Sequence, residues 1–236
     1  MLNIKKVNSK IIVKRVAVLT VISVFLLGTS YFLFSPVIIM AYSSTGTATP
    51  TLAVTAEVNV TSPGTVTLNN SIPGMTGNYG APASGTATFT VTSNSVTGFT
   101  MTLYASQANA LATGSNYFSD YDATTTPDYS WASPSVGSAT FGFAVGASGA
   151  DGVDAVQTFK NNGGACNISG GTNTASYCWR GFNSTTPINA ISRTTASGAS
   201  GLSETVVFQA EFRGGTGYYL TSGTYTATIT ATVAAQ

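Results

Sequence analysis

The chain has 236 residues, 43% of them apolar and only 7% charged, and it contains no histidine, so Ser-His-Asp triads, Cys-His nucleophiles and His-ligated zinc are excluded. The formal net charge of +1 hides an asymmetry: five of the nine bases, Lys5, Lys6, Lys10, Lys14 and Arg15, lie in the first fifteen residues. The remainder carries only Lys160, Arg180, Arg193 and Arg213 against all eight acids, a net of −4, which offers no footprint for a phosphate backbone and argues against a nucleic-acid partner.

Behind the basic stretch an uncharged apolar run extends from Val16 to Met40, the layout of an export signal. Val16 to Phe34 is roughly the span of a transmembrane helix and longer than an ordinary signal core of about 7 to 15 residues, so a signal peptide and an uncleaved signal anchor both stay open over residues 1–43. Pro36 breaks a helix near the end of the run, and Ala41 and Ser43 place small residues where a signal peptidase inspects the chain, which favours cleavage near Ser43. In either case the positive charges stay inside and the rest is exported, extracellular or at the cell surface, with the membrane as a partner if the leader is retained. Residues 44–50, SSTGTATP from Ser43 onward, are small and polar and read as a flexible stalk.

From residue 51 to 236 the apolar residues alternate, the pattern of half-buried strands. Leu52, Val54, Ala56, Val58 and Val60 open the series, followed by Val66 and Leu68, then Ala87, Phe89 and Val91, then Phe99, Met101 and Leu103. Phe141, Phe143 and Val145 continue it, then Val206, Phe208, Ala210 and Phe212. Tyr225, Ala227, Ile229, Ala231 and Val233 close it, alternating with Thr224 to Thr232, and Ser222-Gly223 before them predicts a hairpin with Tyr218 to Leu220. Ser62-Pro63-Gly64, Ile72-Pro73-Gly74, Ser93-Asn94-Ser95 and Asn161 to Gly164 supply turns. The expected fold is all-β, an antiparallel β-sandwich of Ig-like or jelly-roll-like kind with about seven to nine strands, following an N-terminal apolar helix; a closed barrel is the second choice. Residues 106–135 form the one long irregular segment, where function on a rigid scaffold usually sits.

Cys166 and Cys178 are the only cysteines. In an exported chain they are expected to pair, closing a loop that Gly170 and Gly171 allow to fold back.

Within the irregular segment, Asp120, Asp122 and Asp128 cluster closely enough to suggest Ca²⁺, although neither the spacing nor a distal Glu matches the twelve-residue calcium loop, and a solvated turn with Asx caps is the simpler reading. No other cofactor is implied. Tyr117, Tyr121, Tyr129, Trp131 and Trp179 suggest a platform for sugar rings; the alternative is that Phe118, Trp131, Trp179 and Phe182 are a local core covering the open end of the sandwich. Paired carboxylates are the only conceivable catalytic machinery, from Asp120, Asp122, Asp151, Asp154 and Glu204, and no pairing is visible, so an enzyme is not expected. Lys160, the one lysine past the leader, reads as a hairpin flank.

Asn70-Ser71-Ile72-Pro73-Gly74, Gly98-Phe99-Thr100-Met101-Thr102-Leu103, Cys178-Trp179-x-Gly181-Phe182 and Gly223-Thr224-Tyr225-Thr226-Ala227-Thr228-Ile229 together resemble uncharacterised secreted bacterial β-sandwich proteins over most of residues 50–236. The chain is also loosely similar to WxL-type surface domains, which bind the Gram-positive cell wall. Phe99-Thr100-Met101 stands where such domains carry the first aromatic-x-Leu motif, and no tryptophan follows Trp179. The resemblance implies a non-enzymatic structural or adhesive element of a bacterial envelope, with the cell envelope or an extracellular glycan or protein as partner. A carbohydrate-binding module using residues 117–131 and a fibre subunit assembling by strand exchange are the alternatives. The chain ends at Gln236 without a sorting motif or apolar tail, so the leader is the expected tether.

Overall fold

A computed structural model of the chain describes residues 49–121, 126–146, 154–171, 178–182 and 186–236. The leader, most of the stalk, Asp122 and Asp151 lie outside the described residues. The described residues form ten strands: β1 (Val58–Thr61), β2 (Ala83–Ser93), β3 (Phe99–Ala105), β4 (Ala112–Thr113), β5 (Asn116–Tyr117), β6 (Ser119–Asp120), β7 (Ala139–Gly146), β8 (Ile188–Arg193), β9 (Gly198–Phe212) and β10 (Ile229–Ala235). Among the described residues the only helical element is a 3-10 turn at Gln157–Phe159, and no helix is long and apolar enough to cross a membrane.

The strands form a five-stranded sheet in the order β1-β2-β9-β7-β6, a three-stranded sheet in the order β10-β3-β8, and a small β4-β5 ladder. The long pairings are antiparallel, β2 with β9 and β9 with β7 in one sheet, and β10 with β3 and β3 with β8 in the other. Alternation then decides what is covered, because successive side chains point to opposite faces. Phe99, Met101, Leu103 and Ala105 in β3 are fully buried, and they share one apolar cluster with Ala87, Phe89 and Val91 of β2 and Val206, Phe208 and Phe212 of β9. Phe182 stacks on Phe143 at its centre, ring centroids 4.3 Å apart. Each fully buried Phe contributes roughly 1.5 to 3 kcal/mol.

Cys166 and Cys178 form a disulfide with their Cα atoms 5.7 Å apart, and both belong to this cluster. A persistent disulfide marks an oxidising, extracellular environment.

Four expectations need correction. The described residues hold ten strands rather than seven to nine, since the segment expected to be irregular supplies three two-residue strands, β4, β5 and β6. The larger sheet is mixed, because β6 runs parallel to β7. The opening strand is confined to Val58–Thr61: Leu52 and Val54 are 90% and 79% exposed, and past Thr61 the chain leaves the ladder at Pro63, which has no N–H to donate, and at Gly64, with φ 76°. The hairpin at Ser222-Gly223 does not form. Tyr218 bridges instead to Gly215, the Leu220 N–H donates to the Gly74 carbonyl, and β10 begins only at Ile229, paired with β3.

Candidate functional site

The expected aromatic platform is dispersed. Tyr117, in β5, is half exposed, and Tyr129 packs against the main core. Tyr121, Trp131 and Trp179 come together with Ala144 of β7 and Val207 of β9 in a second, small cluster on the side of the large sheet that faces away from the main core. Trp131 stacks on Tyr121 at 4.6 Å and meets Trp179 edge-on at 5.2 Å. Tyr121 and Trp179 are 2% and 3% exposed, so neither offers a flat face to a sugar ring, while Trp131 is partly exposed. Phe118 and Phe182, expected beside the tryptophans, belong to the main core instead.

This cluster is held by polar atoms as much as by rings. The Tyr121 hydroxyl donates to Asp128 Oδ2 at 3.0 Å and accepts from the Ala132 N–H at 2.8 Å. Asp128 and Trp179 exchange two backbone hydrogen bonds, of 3.0 and 2.8 Å. Glu211, fully buried in β9, accepts from Trp131 Nε1 with one carboxylate oxygen and from the Gly80 N–H with the other, both at 2.6 Å. Gly181 permits the crossing, because a Cβ there would stand 2.1 Å from the Tyr121 carbonyl oxygen. Next to it, burial lowers the pKa of Arg180, and its Nε has no hydrogen-bond partner among the described residues.

The carboxylates are similarly committed. Asp120 accepts from the N–H groups of Asn109 and Ala110, at 2.8 and 3.0 Å, and so ties β6 to the preceding loop. Burial raises its pKa from the ordinary 3.8, outweighing those two N–H groups, which favour the ionised form. Asp128 is engaged by Tyr121, and among the described residues no three Cys, Asp or Glu side chains stand close enough to hold a metal ion. Asp154 pairs with Arg193 at 2.5 Å, and Glu204 lies in β9 opposite Phe89 of β2. Arg213 covers the Tyr79 ring at 4.0 Å. Lys160 follows the 3-10 turn and flanks the Asn161 to Cys166 reversal, whose Asn162 Oδ1 accepts from the N–H groups of Gly164 and Ala165.

The feature that sequence reasoning missed is a groove of about 920 Å³ between the two sheets. The edge strands β1 and β10 lie against one another. Beyond them the chain segments 62–72 and 221–229 part, and they meet again where the Leu220 N–H donates to the Gly74 carbonyl. Val66 and Leu68 line one wall, Tyr225, Ala227 and Ile229 the other, and Phe89, Phe141 and Phe208 the floor. No lining residue is charged. Val66 to Leu68 cross β2 at Gly85, where a Cβ would come within 3.0 Å of both side chains, so they pack on the sheet without joining its ladder. The available signal was the pair of weak alternations, at Val66 and Leu68 and at Tyr225 and Ala227, each beside a turn that detaches it from its neighbour.

No protein-family model matches the chain, and no curated protein matches it at a significant level.

Proposed function

We propose that the chain is an exported, non-enzymatic β-sandwich, of Ig-like or jelly-roll-like kind, with a structural or adhesive role in a cell envelope, and that its groove receives an extended polypeptide strand. One observation carries this reading. Where the edges of the two sheets part, a gap of about 920 Å³ is lined by apolar side chains and uncharged chain segments, which is the chemistry that strand addition needs: main-chain groups at a sheet edge for affinity and apolar sites for alternate side chains. The engagement of Asp120, Asp128 and Glu211 by backbone, tyrosine and tryptophan donors supports a structural use of the carboxylates. The basic leader followed by an apolar run, together with the disulfide, supports export.

The test uses the full chain and labelled synthetic peptides of about seven residues, one set alternating Leu or Val with Thr, the other of the same composition in blocks. Fluorescence anisotropy is expected to show saturable binding of the alternating set, weakened about tenfold or more by Leu68→Arg. Equal binding of both sets, or none, removes the reading.

A further inference from the structure

The chain itself contains a segment suited to this groove. Residues 51–57, TLAVTAE, alternate Leu52, Val54 and Ala56 with Thr51, Ala53, Thr55 and Glu57, and every one of these residues is exposed. Leaving Leu52 and Val54 in water forfeits the burial of two large apolar side chains, an arrangement that a binding surface explains better than a free tail does. Its only charge, Glu57, lies off the Leu-Val-Ala face, and the groove carries no charge to meet one. Seven residues in strand geometry span about 23 Å, long enough to present three side chains to one face.

The register excludes the segment's own groove. Val58 pairs with Ser93 and Thr61 with Thr90, so β1 runs from the Ser93 end of β2 toward its Ala83 end, and the groove floor residues Ala87 and Phe89 lie farther along that direction. Residues preceding Val58 therefore lead the opposite way, past Ser93. Asn94 holds them there: its side chain accepts from the Glu57 N–H at 2.6 Å and donates to the Thr55 carbonyl at 3.1 Å, and its own N–H donates to the Glu57 carbonyl. Projecting segment and open groove thus point apart on one molecule, a heterologous arrangement that joins copies head to tail and does not close on itself unless the rotation between them does so.

We infer that residues 51–57 of one copy lie as an added strand in the groove of a second copy, between residues 62–68 and 221–229, so that the protein polymerises by strand donation. This rests on the peptide-receiving groove proposed above.

The experiment uses full-length protein in detergent, with Cys166 and Cys178 retained as the native disulfide. Val54→Cys and Ala227→Cys, made as separate variants, are mixed, oxidised and resolved on non-reducing gels. The expected product is a Val54-to-Ala227 heterodimer, identified by mass spectrometry and at least about fivefold more abundant than the cross-linked homodimer that either variant gives alone. The double variant is expected to give a ladder, and Val54→Asp, placed at an exposed position, is expected to abolish association of the otherwise native chain. Absence of the heterodimer, closure of the double variant to a cross-linked monomer, or assemblies that persist in Val54→Asp would each overturn strand donation. If alternating peptides still bind the full chain while the heterodimer is missing, the groove stands and only its occupant is wrong; if the peptides fail as well, both fall.

Discussion

Two loop-rich regions of the molecule meet opposite fates. On the outer face of the large sheet, Tyr121, Trp131 and Trp179 bring enough ring area and enough donors to build a second core, and even a buried carboxylate, Glu211, is satisfied there on both oxygens. Between the sheets, residues 62–74 and 220–229 are rich in Ser, Thr, Gly and Pro, and they leave a gap over an aromatic floor. The difference lies in side-chain volume and hydrogen-bonding capacity: the outer cluster packs on β7 and β9, while residues 66–68 lie on β2 of the same sheet and residues 220–229 lead into β10 of the other. A loop of large amphipathic side chains closes on itself, whereas a loop of small ones stays open for something else.

Four measurements break or sharpen this contrast. Leu103→Ala, in the filled core, is expected to cost about 3 to 4 kcal/mol in urea unfolding, against about 1 kcal/mol or less for Leu68→Ala at the groove wall; equal costs would mean that the groove is packed as tightly as the core. Replacing both Cys166 and Cys178 with Ala releases a loop of sequence separation 12 and is expected to lower stability by roughly 2 to 3 kcal/mol, with the m-value as a check on the unfolded state. Trp131→Phe keeps the ring stack but removes the donor to Glu211, for an expected loss of about 2 kcal/mol that Glu211→Gln partly restores by removing the buried charge.

The smallest effect is at Asp120. Its pKa is raised in the folded chain, so the folded state binds this proton more tightly than the unfolded state does. The group's stabilising contribution is therefore complete below the ordinary 3.8 and is lost as pH rises through the raised value. Asp120→Asn is expected to flatten that decline. At neutral pH it costs about 1 kcal/mol, because an amide can accept from only one of the N–H groups of Asn109 and Ala110. A pH profile of the melting temperature that is unchanged in Asp120→Asn would place the titration elsewhere.

Much of the strand content was legible because alternation is a local property. Phe99, Met101 and Leu103 announce β3, and Val206 to Phe212 announce half of β9, without reference to anything distant. Alternation also misled where it was clearest: Leu52 to Ala56 carry the period of a strand yet belong to no ladder, because β2 ends at Ser93, opposite Val58, and Tyr225 to Ala227 keep only an isolated bridge from Thr226 to Ala112. The candidate site was less legible. Trp179 was grouped with Tyr121 and Trp131 from residue type, but the partners of Asp120 and Trp131, namely Asn109, Ala110 and Glu211, could not be assigned by spacing.

The amino-acid sequence by itself determined the all-β composition, the pairing of the two cysteines and the apolar phase of each long strand, since each depends on residue type and period alone. Only the tertiary structure decided what covers the second face of a strand. Glu211 sits on the phase that alternation assigns to solvent, yet it is buried because Trp131, 80 residues earlier, folds over it. The same holds for the groove: whether an edge is paired or open depends on where segments separated by more than a hundred residues come to rest, and a period of two carries no information about that distance.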